Sequence, residues 1–463
     1  MTEPPARRHG TRRPRRGRPR PDLPRRVAFD LLRAVAERDA YANLALPALL
    51  RDHGLAGRDA AFTTELAYGT LRGRGTYDAL LAACVDRPLD RVDAPVLDVL
   101  RLGAHQLLAM RVPGHAAVAA TVELARAVVG ESRGSFVNAV LRRVGGRSLD
   151  DWLGEVAPPL DADPLGHLAV SHSHPRWVVS ALRDALGGDL AATAELLAAD
   201  NRAPSVTLVA RPGRAGLPEL LAAGARPGAW SPYAAVLEGG DPAGVPAVRD
   251  GRAGVQDEGS QLVALALAAA PLTGRDERWL DLCAGPGGKA SLLAAVAAGR
   301  GARLLAAEVA PHRARLVRQA AGPGADVVVA DGRTPPWAPG AFDRVLLDAP
   351  CTGLGALRRR PEARWRRAPG DVPALTRLQR DLLGTALRSV RPGGLVAYVT
   401  CSPHLAETRA VVSDALRAHA GVTREDARPL LPGVPDLGDG PDVQLWPHRH
   451  GTDAMFFALL RKD

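Results

Sequence analysis

Lysine is almost absent from this 463-residue chain: Lys289 and Lys462 are the only two, and every other basic side chain is an arginine. Aromatic residues make up 4%, so any core must be filled mainly by aliphatic side chains. Cysteine is sparse as well, with Cys84, Cys283, Cys351 and Cys401 sharing no Cys-x-x-Cys spacing. That excludes a disulfide scaffold and a zinc ribbon, and no metal site is expected. Reduced thiols in a cytoplasmic setting fit this usage. Long apolar runs are missing too. The longest, 262–270, is far short of the roughly 20 residues that cross a bilayer, so no membrane partner is expected. The N-terminus has the positive charge of an export signal, but its arginines run into Pro21-Asp22-Leu23-Pro24 rather than an apolar segment, which argues against secretion.

The formal net charge is +10, yet residues 1–26 hold ten arginines against two acids, so most of the excess sits at one end. A stretch of Pro and Arg cannot collapse, so residues 1–24 are expected to form a disordered tail, and such an arm gains affinity for RNA or DNA by releasing counterions. The length suggests two to four domains. Residues 25–147 read as successive helices, with helical periodicity at 27–35, 60–71, 96–108 and 117–129 and breaks at Gly54, 73–75 and Pro113-Gly114. An all-α bundle is expected there. Residues 147–163, rich in Asp, Pro and Gly, read as a linker. Residues 164–251 mix helices (177–186, 190–199, 217–223) with a strand at 205–210, which suggests a small α+β domain. From 252 to 463 the rhythm changes: short apolar strands at 279–282, 303–307, 326–330, 344–347 and 395–399 alternate with helices. That pattern predicts a doubly wound α/β domain with a parallel sheet covered on both faces. Two later strands, 443–446 and 455–459, could pair antiparallel at the end of this sheet.

The first of these strands runs into Asp281-Leu282-Cys283-Ala284-Gly285-Pro286-Gly287-Gly288-Lys289. A glycine turn at this place lets the backbone approach a cofactor closely. It is neither a Walker A loop nor Gly-x-Gly-x-x-Gly. Glu308 ends the second strand, where a carboxylate can accept hydrogen bonds from ribose hydroxyls, and Asp331 ends the third, where it can reach an adenine amino group. With no basic cluster to neutralise a pyrophosphate, S-adenosylmethionine suits the site better than NAD or ATP. The fourth strand ends in Asp348-Ala349-Pro350-Cys351-Thr352-Gly353 and the fifth in Thr400-Cys401-Ser402. Neighbouring strand ends in a parallel sheet should bring both thiols and Asp348 into one pocket. Beside a methyl donor this set suits attack on a cytosine: a thiolate adds to carbon 6, a carboxyl group holds N3 and the exocyclic amine, and a second group removes the carbon 5 proton.

At these residues the chain resembles the RNA cytosine-5 methyltransferases of the Sun/Fmu type, in which the turn reads Asp-x-Cys-Ala-Ala-Pro-Gly-Gly-Lys; here Gly285 replaces the second alanine. The resemblance implies a Rossmann-like class I methyltransferase fold using S-adenosylmethionine, with Cys401 as nucleophile, Cys351 assisting proton removal and release, Asp348 contacting the cytosine and Lys289 near the base. Cys283, Ala284, Gly285, Pro286, Gly287, Gly288, Lys289, Glu308, Asp331 and Asp348 would line the cofactor site. Gln256-Asp257-Glu258-Gly259-Ser260-Gln261 and the segment from Arg358 to Trp365 also match family motifs, and Ser173-His174-Pro175-Arg176-Trp177 and Asn201-Arg202-Ala203-Pro204 look like the preceding RNA-side domain. Residues 25–144 are similar to the NusB antitermination factor, an RNA-binding helical fold. This three-part order is characteristic of bacterial methyltransferases B of 16S ribosomal RNA and implies RNA as partner and a monomer as the working form. Two departures fall after the thiols: Glu407-Thr408-Arg409 stands for Glu-Asn-Glu, and Asp453-Ala454-Met455-Phe456-Phe457 for Asp-Gly-Phe-Phe.

Arg358, Arg359, Arg360, Arg364, Arg366 and Arg367 crowd one loop with Trp365. Phosphate contacts from Arg358 and Arg359 beside stacking on Trp365 would suit a single-stranded or flipped-out base. Two other readings remain open from sequence: the same reaction on transfer RNA or another RNA, and a non-catalytic RNA-binding factor of ribosome assembly.

Overall fold

A computed structural model describes residues 22–463, and these divide into two compact units with the boundary between Val156 and Ala157. The expected tail, residues 1–24, lies outside the described residues except for its last three, which lead into a helix that starts at Leu23.

The first unit is all-α, with helices Leu23–Arg38, Ala42–Asp52, Gly57–Cys84, Ala94–Leu108, Gly114–Val128, Gly134–Val144 and Leu149–Val156. Leu31, Leu66, Leu80, Leu100, Leu124 and Leu141 are buried together at its centre. The break expected at residues 73–75 does not occur: one helix runs from Gly57 to Cys84. Its glycines serve close packing instead. A Cβ on Gly69 would lie 2.1 Å from His105 Nε2, and one on Gly73 2.4 Å from the Tyr77 ring. Tyr77 OH and His105 Nδ1 are 2.8 Å apart beneath that surface. Asp98 is also buried, accepting from Arg33 at 2.6 Å and from Arg101 at 2.8 Å. The presumed linker contains the helix Leu149–Val156, held by Trp152, whose indole N–H donates to the Val144 carbonyl at 2.9 Å.

The second unit takes in both segments that sequence suggests as separate domains. Helices Pro164–Ser171, Arg176–Ala185 and Leu190–Asp200 precede a four-stranded antiparallel sheet of β1 (Val206–Ala210), β2 (Ala225–Pro227), β3 (Ala234–Leu237) and β4 (Ala253–Val255), in the order β2-β3-β1-β4. These helices do not form a core of their own. Leu168, Val178, Leu182 and Leu197 pack with Leu354, Leu357, Trp446 and Ala454 of the later chain, which is why the two segments form one body.

The larger sheet comprises β5 (Arg278–Asp281), β6 (Arg303–Glu308), β7 (Ala325–Val329), β8 (Phe342–Asp348), β9 (Val390–Thr400), β10 (Val422–Glu425), β11 (Val443–Gln444) and β12 (Phe456–Lys462). Its order is β10-β12-β9-β8-β5-β6-β7, with β11 paired to β12. Strands β7, β6, β5, β8 and β9 are parallel, and β12 enters antiparallel beside β9. Successive strand residues face opposite layers. Trp279, Leu346 and Leu395 pack with Leu262, Leu267 and Leu293, whereas Leu280, Leu347 and Val396 pack with Leu382, Leu383 and Val411. Both faces are therefore covered, as expected for a doubly wound sheet. The pair 443–446 and 455–459 does meet antiparallel, but β10 beyond it forms the edge. The chain winds outward from β5 toward β7 on one side and from β8 toward β9 on the other. A crevice opens at such a reversal, between the carboxyl ends of β5 and β8. No helix among the described residues is long and apolar enough to cross a membrane.

Candidate active site

The crevice is floored by the turn after β5. Gly287 has φ +114°, a left-handed conformation that favours glycine, and it caps the helix Gly288–Ala298. A Cβ there would stand 2.9 Å from Val317 Cα, so both the backbone conformation and the packing against the next helix require glycine. Glu308, at the end of β6, is 4% exposed and accepts from the Gly285 amide and the Ala310 amide, both at 3.0 Å. This fixes one carboxylate beside the glycine turn with acceptor capacity left over. A Cβ on Gly285 would fall 2.2 Å from Glu308 Oε2. The glycine that replaces the family alanine and this placement of Glu308 therefore belong together. Asp331 is half-buried, and Arg333 covers its carboxylate at 2.6 to 3.1 Å.

Asp281 is 1% exposed, and neither carboxylate oxygen has a hydrogen-bond partner of good geometry among the described residues. Burial, with repulsion from Asp348, pushes its pKa up to about 7, against the pull of Lys289 and the Cys283 amide. A buried, unmatched acid at a strand end suits a cationic ligand group. With the glycine cradle and Glu308, it makes this donor set fit S-adenosylmethionine. Cys283, in the same turn, is held protonated by burial and by the neighbouring acids, which makes it a wall of the site rather than a nucleophile.

The base side lies at the ends of β8 and β9. Lys289 Nζ donates to Asp348 Oδ2 at 2.7 Å. Burial works against the Lys289 ammonium, but Asp348 more than offsets it, so the lysine pKa lies above its ordinary value. Cys351 and Cys401 approach to 3.4 Å between sulfurs, and both are free thiols. Their proton affinities are split. The hydrogen bond from Cys351 lowers the Cys401 pKa, with Lys289 and Arg360 acting in the same direction. The same bond and burial raise the Cys351 pKa. Cys401 is thus the better thiolate and Cys351 the proton holder. Lys289, Asp348, Cys351 and Cys401 meet where sequence places them.

Sequence reasoning noticed Glu407 only as part of a motif departure. It is completely buried and accepts from the Thr352 amide at 2.8 Å, the Ser402 hydroxyl at 2.7 Å, the Gln379 side chain at 3.1 Å and the Thr352 hydroxyl. The Tyr398 hydroxyl donates to its carbonyl at 2.6 Å. The signal available in sequence was one acid six residues after Cys401. Gly355 is the other unforeseen element. Its amide donates to the Cys401 carbonyl at 2.8 Å, and a Cβ would stand 2.1 Å from the Ala454 carbonyl oxygen.

The arginine loop is tied down from within the protein. Arg359 Nε is 2.9 Å from Asp453 and its Nη2 pairs with Asp257, while Arg358 donates to the Gly451 carbonyl at 2.9 Å beside the same two acids. Opposite charges within the protein thus hold Arg358 and Arg359 and brace the loop. Arg364 is fully buried and donates to Asn201 Oδ1 at 2.7 Å, the Asp200 carbonyl at 2.9 Å and the Ser173 carbonyl at 3.2 Å. The two motifs read as RNA-side thus anchor this loop. Trp365 is half-buried, and Arg360 and Arg367 are the exposed arginines of the loop.

A family profile described as 16S rRNA methyltransferase RsmB/F matches residues 268–461, and a NusB family profile matches residues 22–145. The putative methyltransferase Rv1407 of Mycobacterium tuberculosis is 56% identical over 456 residues, covering 98% of this chain and 99% of its own. The ribosomal RNA small subunit methyltransferase B of Pseudomonas putida is 32% identical over 451 residues, with 95% and 98% covered. Of solved structures, PH0851 superposes with a TM-score of 0.78 at 22% identity over 95% of this chain and 98% of that one. NSun6 from Pyrococcus horikoshii, crystallised with SFG, gives 0.52 at 18% identity over 62% and 98%. At these identities, the structural likeness bears on the fold alone. Sequence family and site geometry agree: the chain belongs to the RsmB/F family of S-adenosylmethionine-dependent ribosomal RNA methyltransferases and has an N-terminal NusB domain.

Proposed function

We propose that the protein methylates carbon 5 of a cytosine in 16S ribosomal RNA through a covalent adduct between Cys401 and carbon 6, acting as a cytoplasmic monomer. The observation that carries this reading is the pair of thiols 3.4 Å apart with opposite proton affinities, set beside Lys289 and Asp348. S-adenosylmethionine, when bound, supplies the electrophilic methyl group. Gly285 to Gly288 and Glu308 would hold its ribose end and Asp281 its cationic end.

The Cys401 thiolate forms the bond to carbon 6, and the displaced electron pair makes carbon 5 nucleophilic. Asp348 accepts from the exocyclic amine, and Lys289 places positive charge beside the ring. After methyl transfer the carbon 5 proton must leave, and its electron pair then expels the Cys401 sulfur as thiolate. In the resting enzyme Cys351 holds a proton, chiefly because of Cys401. Once Cys401 is carbon-bound that influence is gone, so Cys351 can release its proton to solvent and accept the one from carbon 5. Exposed Arg360 and Arg367 and half-buried Trp365 would contact the RNA strand. Bisulfite sequencing of total RNA from cells with and without the gene tests the reading: one 16S cytosine should lose its methyl group. An unchanged 16S pattern, or a loss confined to transfer RNA, would overturn the substrate assignment.

A further inference from the structure

We propose that Glu407 is a positioning residue of the thiol pair: it clamps together the two loops that carry Cys351 and Cys401, and its negative charge, nearer Cys351 than Cys401, adds to what makes Cys351 the proton-accepting thiol. This rests on the cysteine chemistry proposed above and deepens it. The clamp is visible in the bonds. One carboxylate oxygen accepts from the Thr352 amide, directly after Cys351, and from Gln379, which also donates to the Pro350 carbonyl at 2.8 Å. The other accepts from Ser402, directly after Cys401, and from the Thr352 hydroxyl, and those two hydroxyls are 2.9 Å apart. A single buried acid thereby ties the residue after each thiol to one point. Buried carboxylates are retained at such a place only when hydrogen-bonded, and this one has four donors.

The charge is asymmetric across the pair. Cys351 is faced by Cys401, Glu407 and Asp348, all of which favour its protonated form. Cys401 is faced by Cys351, Asp348, Lys289 and Arg360, and the two cations favour its thiolate. When Cys401 becomes a thioether during the reaction, Glu407 and Asp348 remain, with burial, to keep Cys351 basic enough to take the carbon 5 proton.

The variant Glu407→Gln removes the charge and keeps the shape. Its carbonyl can still accept from Thr352 and Gln379, and the two hydroxyls can rotate to accept from its amide. Glu407→Asp keeps the charge and shortens the reach. The experiment follows initial alkylation of each thiol by iodoacetamide against pH, resolved by peptide mass spectrometry, in the full chain. In the wild type, Cys401 should react at lower pH than Cys351. In Glu407→Gln the Cys351 midpoint should fall by at least half a pH unit, and covalent RNA–protein complex should accumulate several-fold during turnover, because release slows more than addition. Glu407→Asp should retain the Cys351 midpoint while both steps slow. A Cys351 midpoint at or below that of Cys401 in the wild type, or one unmoved in Glu407→Gln, would overturn the proposal; the wild-type profile decides even if a variant does not fold. A wild type that orders its thiols as stated but methylates no cytosine would instead overturn the cytosine reading alone.

Discussion

Replacing Asp281 by asparagine should stabilise the unliganded protein at neutral pH while weakening its grip on cofactor. In the unfolded chain this carboxyl releases its proton near 3.8, but in the folded protein burial holds it to about 7. Between those values unfolding releases a proton, so stability falls as pH rises, at about 1.4 kcal/mol per pH unit per proton. The loss is complete once the pH passes the folded value. From pH 5 to pH 8 the wild type should therefore lose roughly 2–3 kcal/mol from this one group. Asp281→Asn cannot ionise, so the difference between variant and wild type should shift by that amount in favour of the variant over the same interval. A bound cation restores the balance in the wild type alone. S-adenosylmethionine affinity should then drop at least tenfold in the variant, about 1.4 kcal/mol or more. Urea unfolding of the catalytic unit at pH 5 and pH 8, with and without S-adenosylmethionine, measures both effects. Parallel pH dependence in the two proteins, or unchanged cofactor affinity, would refute the reasoning.

Lys289→Met removes a cation that lowers the Cys401 pKa and the partner of Asp348, so the rise of methyl transfer with pH should move to higher pH and the rate near neutrality should fall more than tenfold, as read from a pH–rate profile. Gly355→Ala would drive a methyl group to within 2.1 Å of the Ala454 carbonyl oxygen; thermal melting should show destabilisation of about 2 kcal/mol or more from this overpacking. Arg359→Ala should lower stability by about 1–3 kcal/mol by leaving Asp257 and Asp453 short of a partner, with little change in the salt dependence of RNA affinity. Arg360→Ala with Arg367→Ala should do the reverse, weakening RNA binding and reducing the slope of log affinity against log salt by about 1 to 2.

The catalytic sheet was legible because its strands are short, apolar on both faces and spaced by helices, and because their carboxyl ends carry the acids and thiols. What escaped depends on contacts distant in sequence. The edge strand Val422–Glu425 has a polar, half-exposed pattern that no apolar run announces. Gly73 reads as a break, whereas in the fold the Tyr77 ring packs against it within one continuous helix. Arg364 reads as one more loop cation, yet its acceptors lie more than 160 residues away. Lysine scarcity pointed to a useful place in one case only. Lys289 sits in the site, whereas Lys462 donates to the Leu387 and Val390 carbonyls, 3.1 Å each, at a helix end.

The proposed chemistry turns on a bond between Cys401 and carbon 6 of a cytosine. Incubating the protein and S-adenosylmethionine with 16S RNA containing 5-fluorocytidine leaves no carbon 5 proton to remove after methylation, so the enzyme sulfur cannot depart. A denaturation-resistant RNA–protein complex should form whose digested peptide carries the methylated nucleotide on Cys401, present in the wild type and absent in Cys401→Ala. A methylated cytosine formed with no trapped complex, or an adduct mapped to Cys351, would contradict it.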